Sequence, residues 1–394
     1  MGKNILFTYI TPFHPERGGI GRVTHTLALE LIRRGYNVYY LIYNCSITIK
    51  HIYNYPAPLT YLPSTDLLCK ENINFYHQYL RDNHINIVIN QSGNFSDSQL
   101  WVNTEDPNIK VISVLHSNPW IAYEHIWSSD IFPLRNNRFI EHLKRIARIL
   151  LYPKIKHRYK KSRINQFQKL LPNTDIVCML SKNFYSELSS ICPGYESKYR
   201  AIPNPNSYSA DILSTLETVQ KQKIVLFVGI FGPQKREERI IKIWRHLYKE
   251  YPEWKLLLIG SGNKERVKYL NHLAKNIPNI YFEGFQNPLS YYRKASIFCL
   301  TSNYEGWGMV LTEAMQCGAV PVAFNSFASA TDIIDNGRNG ILVKPFSIKQ
   351  YEKELRKLMD NPEILKRLSK NAEKDIEKYS VEKIANKWEE LFNE

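Results

Sequence analysis

Short apolar, β-branched runs recur along this chain, and longer amphipathic stretches separate them. In the first half the runs fall at 5–10, 38–42, 85–90, 111–116 and 176–181. In the second half they fall at 224–228, 255–260, 280–284, 297–301 and 320–324. A strand that is apolar on both faces must be covered on both sides, so strands of this kind between helices predict parallel sheets wrapped by helices. Helical periodicity at 20–34, 237–249 and 263–275 supplies such covers. The alternation runs through two rounds, which makes the expected fold α/β with two doubly wound units.

A length of 394 residues suits two domains. The join is expected near Ala201-Ile202-Pro203-Asn204-Pro205-Asn206, where two prolines oppose helix and asparagines favour turns. The expected division is 1–203, 204–376 and a last helix, 377–394, that packs back on the first unit. Ligands of open parallel sheets bind beyond the carboxyl ends of the strands, so two such units are expected to face each other across a cleft.

Composition narrows the class. Hydrophobic residues at 44% and charged residues at 23% exclude a disordered chain. No run of about 18 apolar residues predicts a membrane-spanning helix. The opening Met1-Gly2-Lys3-Asn4-Ile5-Leu6 matches neither a secretory signal nor, with Leu6, a myristoylation site. Cysteines 45, 69, 178, 192, 299 and 317 form no C-x-x-C pair and read as reduced thiols, so a cytoplasmic setting is expected.

The stretch most informative about chemistry is Thr301-Ser302-Asn303-Tyr304-Glu305-Gly306-Trp307-Gly308-Met309-Val310-Leu311-Thr312-Glu313, after an apolar run. Gly306 and Gly308 permit a tight turn and close ligand approach. A helix starting at Gly308 would aim the N–H groups of Met309 and Val310 and its positive end at a phosphate. Glu305 lies before the helix and Glu313 about two turns in. A sugar nucleotide carries hydroxyls on both sides of its diphosphate, which suits two carboxylates flanking a phosphate seat. The plain alternative is a helix start that merely favours acidic neighbours.

The form E-G-W-G-M-V-L-T-E-A-M, followed by Gly318-Ala319-Val320-Pro321-Val322, resembles the retaining glycosyltransferases of family 4, which have the GT-B fold of two Rossmann-like domains. Phe227-Val228-Gly229 with Lys235 resembles that family's diphosphate loop. Tyr281-Phe282-Glu283-Gly284-Phe285 resembles its base-contacting loop, and 335–343 its D-G-x-N-G-x-L-V turn. Gly18-Gly19-Ile20-Gly21-Arg22 resembles the glycine loop of its acceptor-side domain. The resemblance implies donor contacts from Gly19, Gly229, Lys235, Phe285, Gly306, Gly308, Met309, Val310 and Glu313, with Glu305 and His116 as catalytic residues at the donor sugar. It departs at Ile230, where the family has Arg. Arg236 is the nearest cation that could substitute, although Lys and Arg bind phosphate differently.

Competing chemistries find less support. The G-x-G-x-x-G fingerprint fails at Thr24, and Asn44 stands where NAD binding wants an acid. No Asp-x-Asp occurs and the histidines show no metal spacing, so no cofactor or divalent ion is expected. His116 could alternatively be a half-buried residue satisfying a loop.

Net charge is +15, and residues 135–169 hold twelve Lys/Arg against one Glu. Phe139, Leu143, Ile146 and Leu150 recur at helical spacing, and Lys144, Arg145 and Arg148 lie largely off that stripe. Pro153 is expected to break the helix. Lys154, Lys156, Arg158, Lys160, Lys161 and Arg163 follow. A basic amphipathic helix with a polybasic run suits an anionic membrane surface. A solvated helix is the bland alternative, and no nucleic-acid motif accompanies the charge.

The expected function is transfer of a sugar from a nucleotide diphosphate, with uridine as the expected base, to a lipid-linked or polysaccharide acceptor in surface polysaccharide synthesis, on the inner face of the membrane. A sugar-nucleotide epimerase of the same fold and a non-catalytic basic surface protein are the alternatives.

Overall fold

The structure is a computed structural model that describes all residues except 1, 17, 44–53, 125, 127–138, 216 and 218; of 122 and 139–142 only the backbone is described. Cys45 lies outside the described residues, and so does the side chain of Phe139. The other five cysteines are free thiols.

The chain divides into two compact units, Met1–Pro205 with Val381–Glu394, and Asn206–Ser380. Asn206 belongs to the second because its N–H donates to Tyr379 O (2.8 Å) and its side-chain amide to Ile376 O (2.9 Å). Tyr379 in turn packs edge-on against Trp307, with ring centroids 5.0 Å apart. These ties place the unit boundaries at 205/206 and 380/381, against the expected 203/204 and 376/377.

The first unit holds β1 (Asn4–Tyr9), β2 (Asn37–Ile42), β3 (Leu59–Tyr61), β4 (Ile87–Asn90), β5 (Lys110–Leu115), β6 (Ile176–Met179) and β7 (Tyr199–Ala201). They form one parallel sheet in the order β3-β2-β1-β4-β5-β6-β7. The helix Val381–Asn393 belongs to this unit. Arg34 reaches it through Glu389, Asn386 Oδ1 (2.6 Å) and Glu382 O (2.9 Å), and Lys110 Nζ donates to Leu391 O (3.1 Å).

The second unit holds β8 (Gln222–Val228), β9 (Lys255–Ile259), β10 (Ile280–Gly284), β11 (Ala295–Leu300), β12 (Val320–Phe324) and β13 (Ile341–Val343), all parallel, in the order β10-β9-β8-β11-β12-β13. Every residue of β11 and β12 is buried, as strands covered on both faces require. Three short strands, β3, β7 and β13, extend the expected set. Each has three residues, too few to show a period.

Each sheet reverses its strand order once, between β1 and β4 and between β8 and β11. Those reversals leave a crevice at the carboxyl ends of the strands, where ligands of such sheets bind. A cavity of about 910 Å³ lined by Lys3, Asn4, Asn37, Asn86 and Lys110 sits at the opposite, amino ends of the first sheet.

Candidate active site

In the second unit the order reverses between β8 and β11, so the loops leaving these neighbouring strands meet. The β8 loop brings Lys235 and the β11 loop Glu305. Lys235 Nζ lies 2.8 Å from Glu305 Oε1, and the two side chains are 17% and 7% exposed. Glu305 also accepts from Ser302 Oγ (2.6 Å) and Gln234 Nε2 (3.3 Å). A carboxylate held this way is fixed in direction before any ligand arrives.

The loops are stitched by their backbones as well. Asn303 N donates to Gln234 O (2.7 Å) and Asn303 Nδ2 to Pro233 O (2.9 Å). Gln234 Nε2 donates to Tyr304 O (3.2 Å), and Thr301 Oγ1 to Arg236 O (3.0 Å). Behind them Arg239 donates to Thr301 O (2.9 Å) and Asn303 Oδ1 (2.7 Å). Its guanidinium lies 4.3 Å from the ring centre of Phe346, whose φ is 63°. Burial pulls Arg239 down to about 10, still charged at neutral pH. Sequence reasoning missed Gln234, Asn303 and Arg239, because no spacing rule links residues of two loops joined only in space.

The helix after Glu305 runs Met309–Gln316. Gly308 precedes it with φ 92° and ψ 49°, a left-handed conformation that suits glycine. Leu311 N already donates to Gly308 O (2.8 Å). The N–H groups of Met309 and Val310, in the first turn, have no intrahelical acceptor. Ser329 Oγ pins the turn by donating to Gly306 O (2.9 Å).

Glu313 is the fifth residue of that helix, closer to its start than the expected two turns. Its carboxylate is 1% exposed and accepts from Ser207 Oγ (2.7 Å) and Tyr292 Oη (3.0 Å). The two acids therefore differ in setting: Glu305 pairs with a cation, and Glu313 is held by hydroxyls. Ser207 and Tyr292 carried no sequence signal.

Gly229 follows β8, and a Cβ there would stand 3.3 Å from Lys235 Cγ. Its bareness lets the lysine stem lie across the strand end. Ile230 and Phe285 are each 73% exposed. Arg236, the candidate substitute for the missing cation, is ion-paired with Glu238 and has φ 51°.

In the first unit Gly19 opens the helix Gly19–Arg33 after β1 and is exposed. Gly21 lies tight against the preceding loop, where a Cβ would come 2.6 Å from His14 O. His116 follows β5, and Gln91 follows the neighbouring β4. His116 Nε2 lies 2.5 Å from Gln91 Oε1. Burial pushes its pKa down to about 3, so the imidazole is neutral. With Nε2–H donating to the amide oxygen, Nδ1 is left as an acceptor.

The basic segment forms helices Phe139–Leu150 and Tyr152–Leu170. Pro153 falls in the first turn of the second helix, where its missing N–H costs nothing, so it begins a helix rather than breaking one. Leu143, Ile146 and Leu150 are 50%, 53% and 75% exposed. Lys144, Lys154, Lys160 and Lys161 are exposed, and Arg145, Arg148 and Lys156 are half-buried. Arg163 departs from the surface run. It donates to Pro119 O (2.6 Å) and Asn94 O (2.7 Å), and burial lowers its pKa to about 10. Among the described residues no helix is long and apolar enough to cross a membrane.

Residues 211–375 match the family model described as glycosyl transferases group 1. The fold is GT-B. The matched residues take up nearly all of the second unit, which carries the Lys235–Glu305 pair. An uncharacterized glycosyltransferase of Haemophilus influenzae is 34% identical over 197 residues, 49% of this chain and 54% of the relative. A Campylobacter jejuni N-acetyl-D-galactosaminyltransferase, named for a saccharide on PP-undecaprenol, is 24% identical over 201 residues, 51% of this chain and 56% of the relative. The chain thus spans about half the length of the curated relatives it matches. Anabaena HepE in complex with UDP-glucose superposes with a TM-score of 0.72 at 14% identity, covering 99% of both GT-B chains.

Proposed function

We propose that this chain is a retaining glycosyltransferase of family 4 that moves a hexose from a UDP-sugar to a lipid-linked or polysaccharide acceptor in surface polysaccharide synthesis. One observation carries the reading: a lysine and a carboxylate meet at the strand-order reversal of the second sheet, beside the free first turn of a helix. That set has a cation and N–H donors for a diphosphate, and an acid for sugar hydroxyls.

In the proposed reaction the bond from the sugar's anomeric carbon to the UDP oxygen breaks, and a bond from that carbon to the acceptor oxygen forms. Lys235 and the N–H groups of Met309 and Val310 stabilise charge gathering on the leaving diphosphate. Glu305 holds sugar hydroxyls and steadies the oxocarbenium-like centre. The acceptor proton passes to the departing phosphate oxygen. Glu313 holds the ribose, which requires its carboxylate to share or exchange the Ser207 hydroxyl for a ribose hydroxyl. The family resemblance assigns Phe285 to the base, Gly19 to the diphosphate and His116, with Nδ1 as a neutral acceptor, to the donor sugar. In this reading Lys235 and the helix start carry the phosphate charge without a divalent ion.

The acceptor side of the reading draws on the basic helices, whose exposed apolar row and flanking cations suit an anionic membrane, and on the undecaprenol-linked substrate in the name of the Campylobacter relative. A screen of UDP-sugars with the purified chain tests the proposal. UDP release with Glu305→Gln at least about a hundredfold slower supports it. Conversion of one UDP-sugar into another points to an epimerase, and no UDP binding at all overturns the reading.

A further inference from the structure

Beyond β5 the chain turns through His116 and Asn118 into the short helix Ile121–Glu124, and two aromatic rings form a ledge there. Trp120 and Tyr123 have centroids 5.1 Å apart at an interplanar angle of 49°. Other elements hold the ledge. Trp120 Nε1 donates to Ser190 Oγ (2.9 Å), Trp120 N to Asn118 Oδ1 (2.7 Å), and Arg163 Nε to the Pro119 carbonyl (2.6 Å). Lys156 Nζ stands 5.0 Å from the centre of the Tyr123 ring.

Two carboxylates border the rings. Glu124 Oε2 accepts from Asn118 Nδ2 at 3.3 Å. Glu187, on the helix Tyr185–Ile191, lies close enough to repel it. Among the described residues neither acid is in an ion pair. Glu124 is exposed, and Glu187 is half-buried and accepts from Ser186 Oγ (3.1 Å), so both carboxylates keep acceptor capacity for an incoming hydroxyl.

We infer that this ledge is a saccharide subsite, in which the C–H face of a pyranose lies on Trp120 and Tyr123 and its hydroxyls donate to Glu124 and Glu187. Rings of this kind accept an apolar face, and carboxylates accept hydroxyl protons. A nucleotide fits less well, because its phosphates would meet two acids. The ledge follows β5 at the carboxyl edge of the first sheet, on the same loop as His116. Lys156 links it to the basic helix Tyr152–Leu170. An acceptor sugar carried by a lipid at that helix would therefore be received beside the strand ends. The inference rests on the transferase reading for its occupant.

The test uses the full chain and octyl glycosides of glucose, galactose, N-acetylglucosamine, N-acetylgalactosamine and rhamnose, followed by saturation-transfer NMR, with UDP affinity measured on the same samples. At least one glycoside is expected to bind. Trp120→Ala should weaken that binding about tenfold, while Trp120→Phe keeps most of it. Glu124→Gln should weaken it about threefold, with UDP affinity unchanged in all three variants. If no glycoside binds the parent chain, or if Glu124→Gln and a UDP-binding Trp120→Ala both bind as the parent does, the subsite is overturned. A parent chain that fails to bind UDP removes the transferase reading instead, whatever the glycosides do. Should Trp120→Ala lose UDP binding through misfolding, Trp120→Phe and Glu124→Gln decide.

Discussion

Lys235 Nζ and Glu305 Oε1 lie 2.8 Å apart, joining loops from two strands that are neighbours in the sheet but far apart in sequence. The pair holds each partner in place and keeps a buried acid oriented. A diphosphate arriving beside it would draw Lys235 toward itself and free Glu305 for sugar hydroxyls.

Lys235→Met removes the cation from both tasks. UDP affinity is expected to fall roughly tenfold or more, since charge-assisted contacts to phosphate are among the stronger ones. Glu305→Gln should leave UDP affinity within about threefold while turnover of the UDP-sugar collapses, because that side chain is assigned to the sugar. Calorimetric UDP titration and a UDP-release assay separate the two. Equal losses of UDP affinity in both variants would defeat the division of labour.

Arg239 touches no proposed ligand, yet it holds the Thr301 carbonyl and the Asn303 amide from behind. Arg239→Lys keeps the charge but cannot bridge both acceptors with a planar fork. The expected result is a stability loss of about 1–3 kcal/mol by denaturant unfolding. A fall in kcat larger than the rise in KM should accompany it, because Glu305 is displaced more than the phosphate seat. A variant with unchanged stability and kcat would show that Arg239 is dispensable for the loops.

The strands of both sheets were legible because they are nearly all apolar: β4, β6, β11 and β12 are buried at every position. The three-residue edge strands β3, β7 and β13 had no period to read. Glu305 and Lys235 were legible through a resemblance of motifs, and Gly308 through the need for a tight turn. Their supports were not. Asn303, Gln234 and Arg239 act only once β8 and β11 are adjacent, and Ser207 reaches Glu313 from outside any motif. Pro153 misled, since the same residue that breaks a helix interior fits a first turn.

The helix Phe139–Leu150 leaves Leu143, Ile146 and Leu150 exposed beside its cations. Two separable contributions to membrane binding are expected. Changing these three residues to Ser should remove the part of vesicle binding that survives high salt, since each buried aliphatic side chain contributes roughly 1.5–3 kcal/mol. Changing Lys154, Lys160 and Lys161 to Glu should remove the salt-sensitive part, at about 1 kcal/mol per cation. Co-sedimentation with vesicles of phosphatidylglycerol and phosphatidylethanolamine, with and without added salt, reads both. Indifference to the Ser changes would mean that the apolar row does not enter the bilayer.

His116 gives the pH prediction. Burial lowers its pKa to about 3, against an ordinary imidazole value of 6.5. A depressed folded-state pKa means that the unfolded chain binds a proton first as pH falls. The stability associated with neutral His116 is therefore complete above about pH 6.5 and lost progressively toward pH 3. The melting temperature of the parent chain should drop between pH 6.5 and 4 more steeply than that of His116→Gln, which cannot titrate. Sugar transfer should show no ionisation near pH 6.5 assignable to this side chain. Parallel melting curves for the two proteins across that range would show that folding does not depress the His116 pKa, and its proposed role as a neutral acceptor would fail.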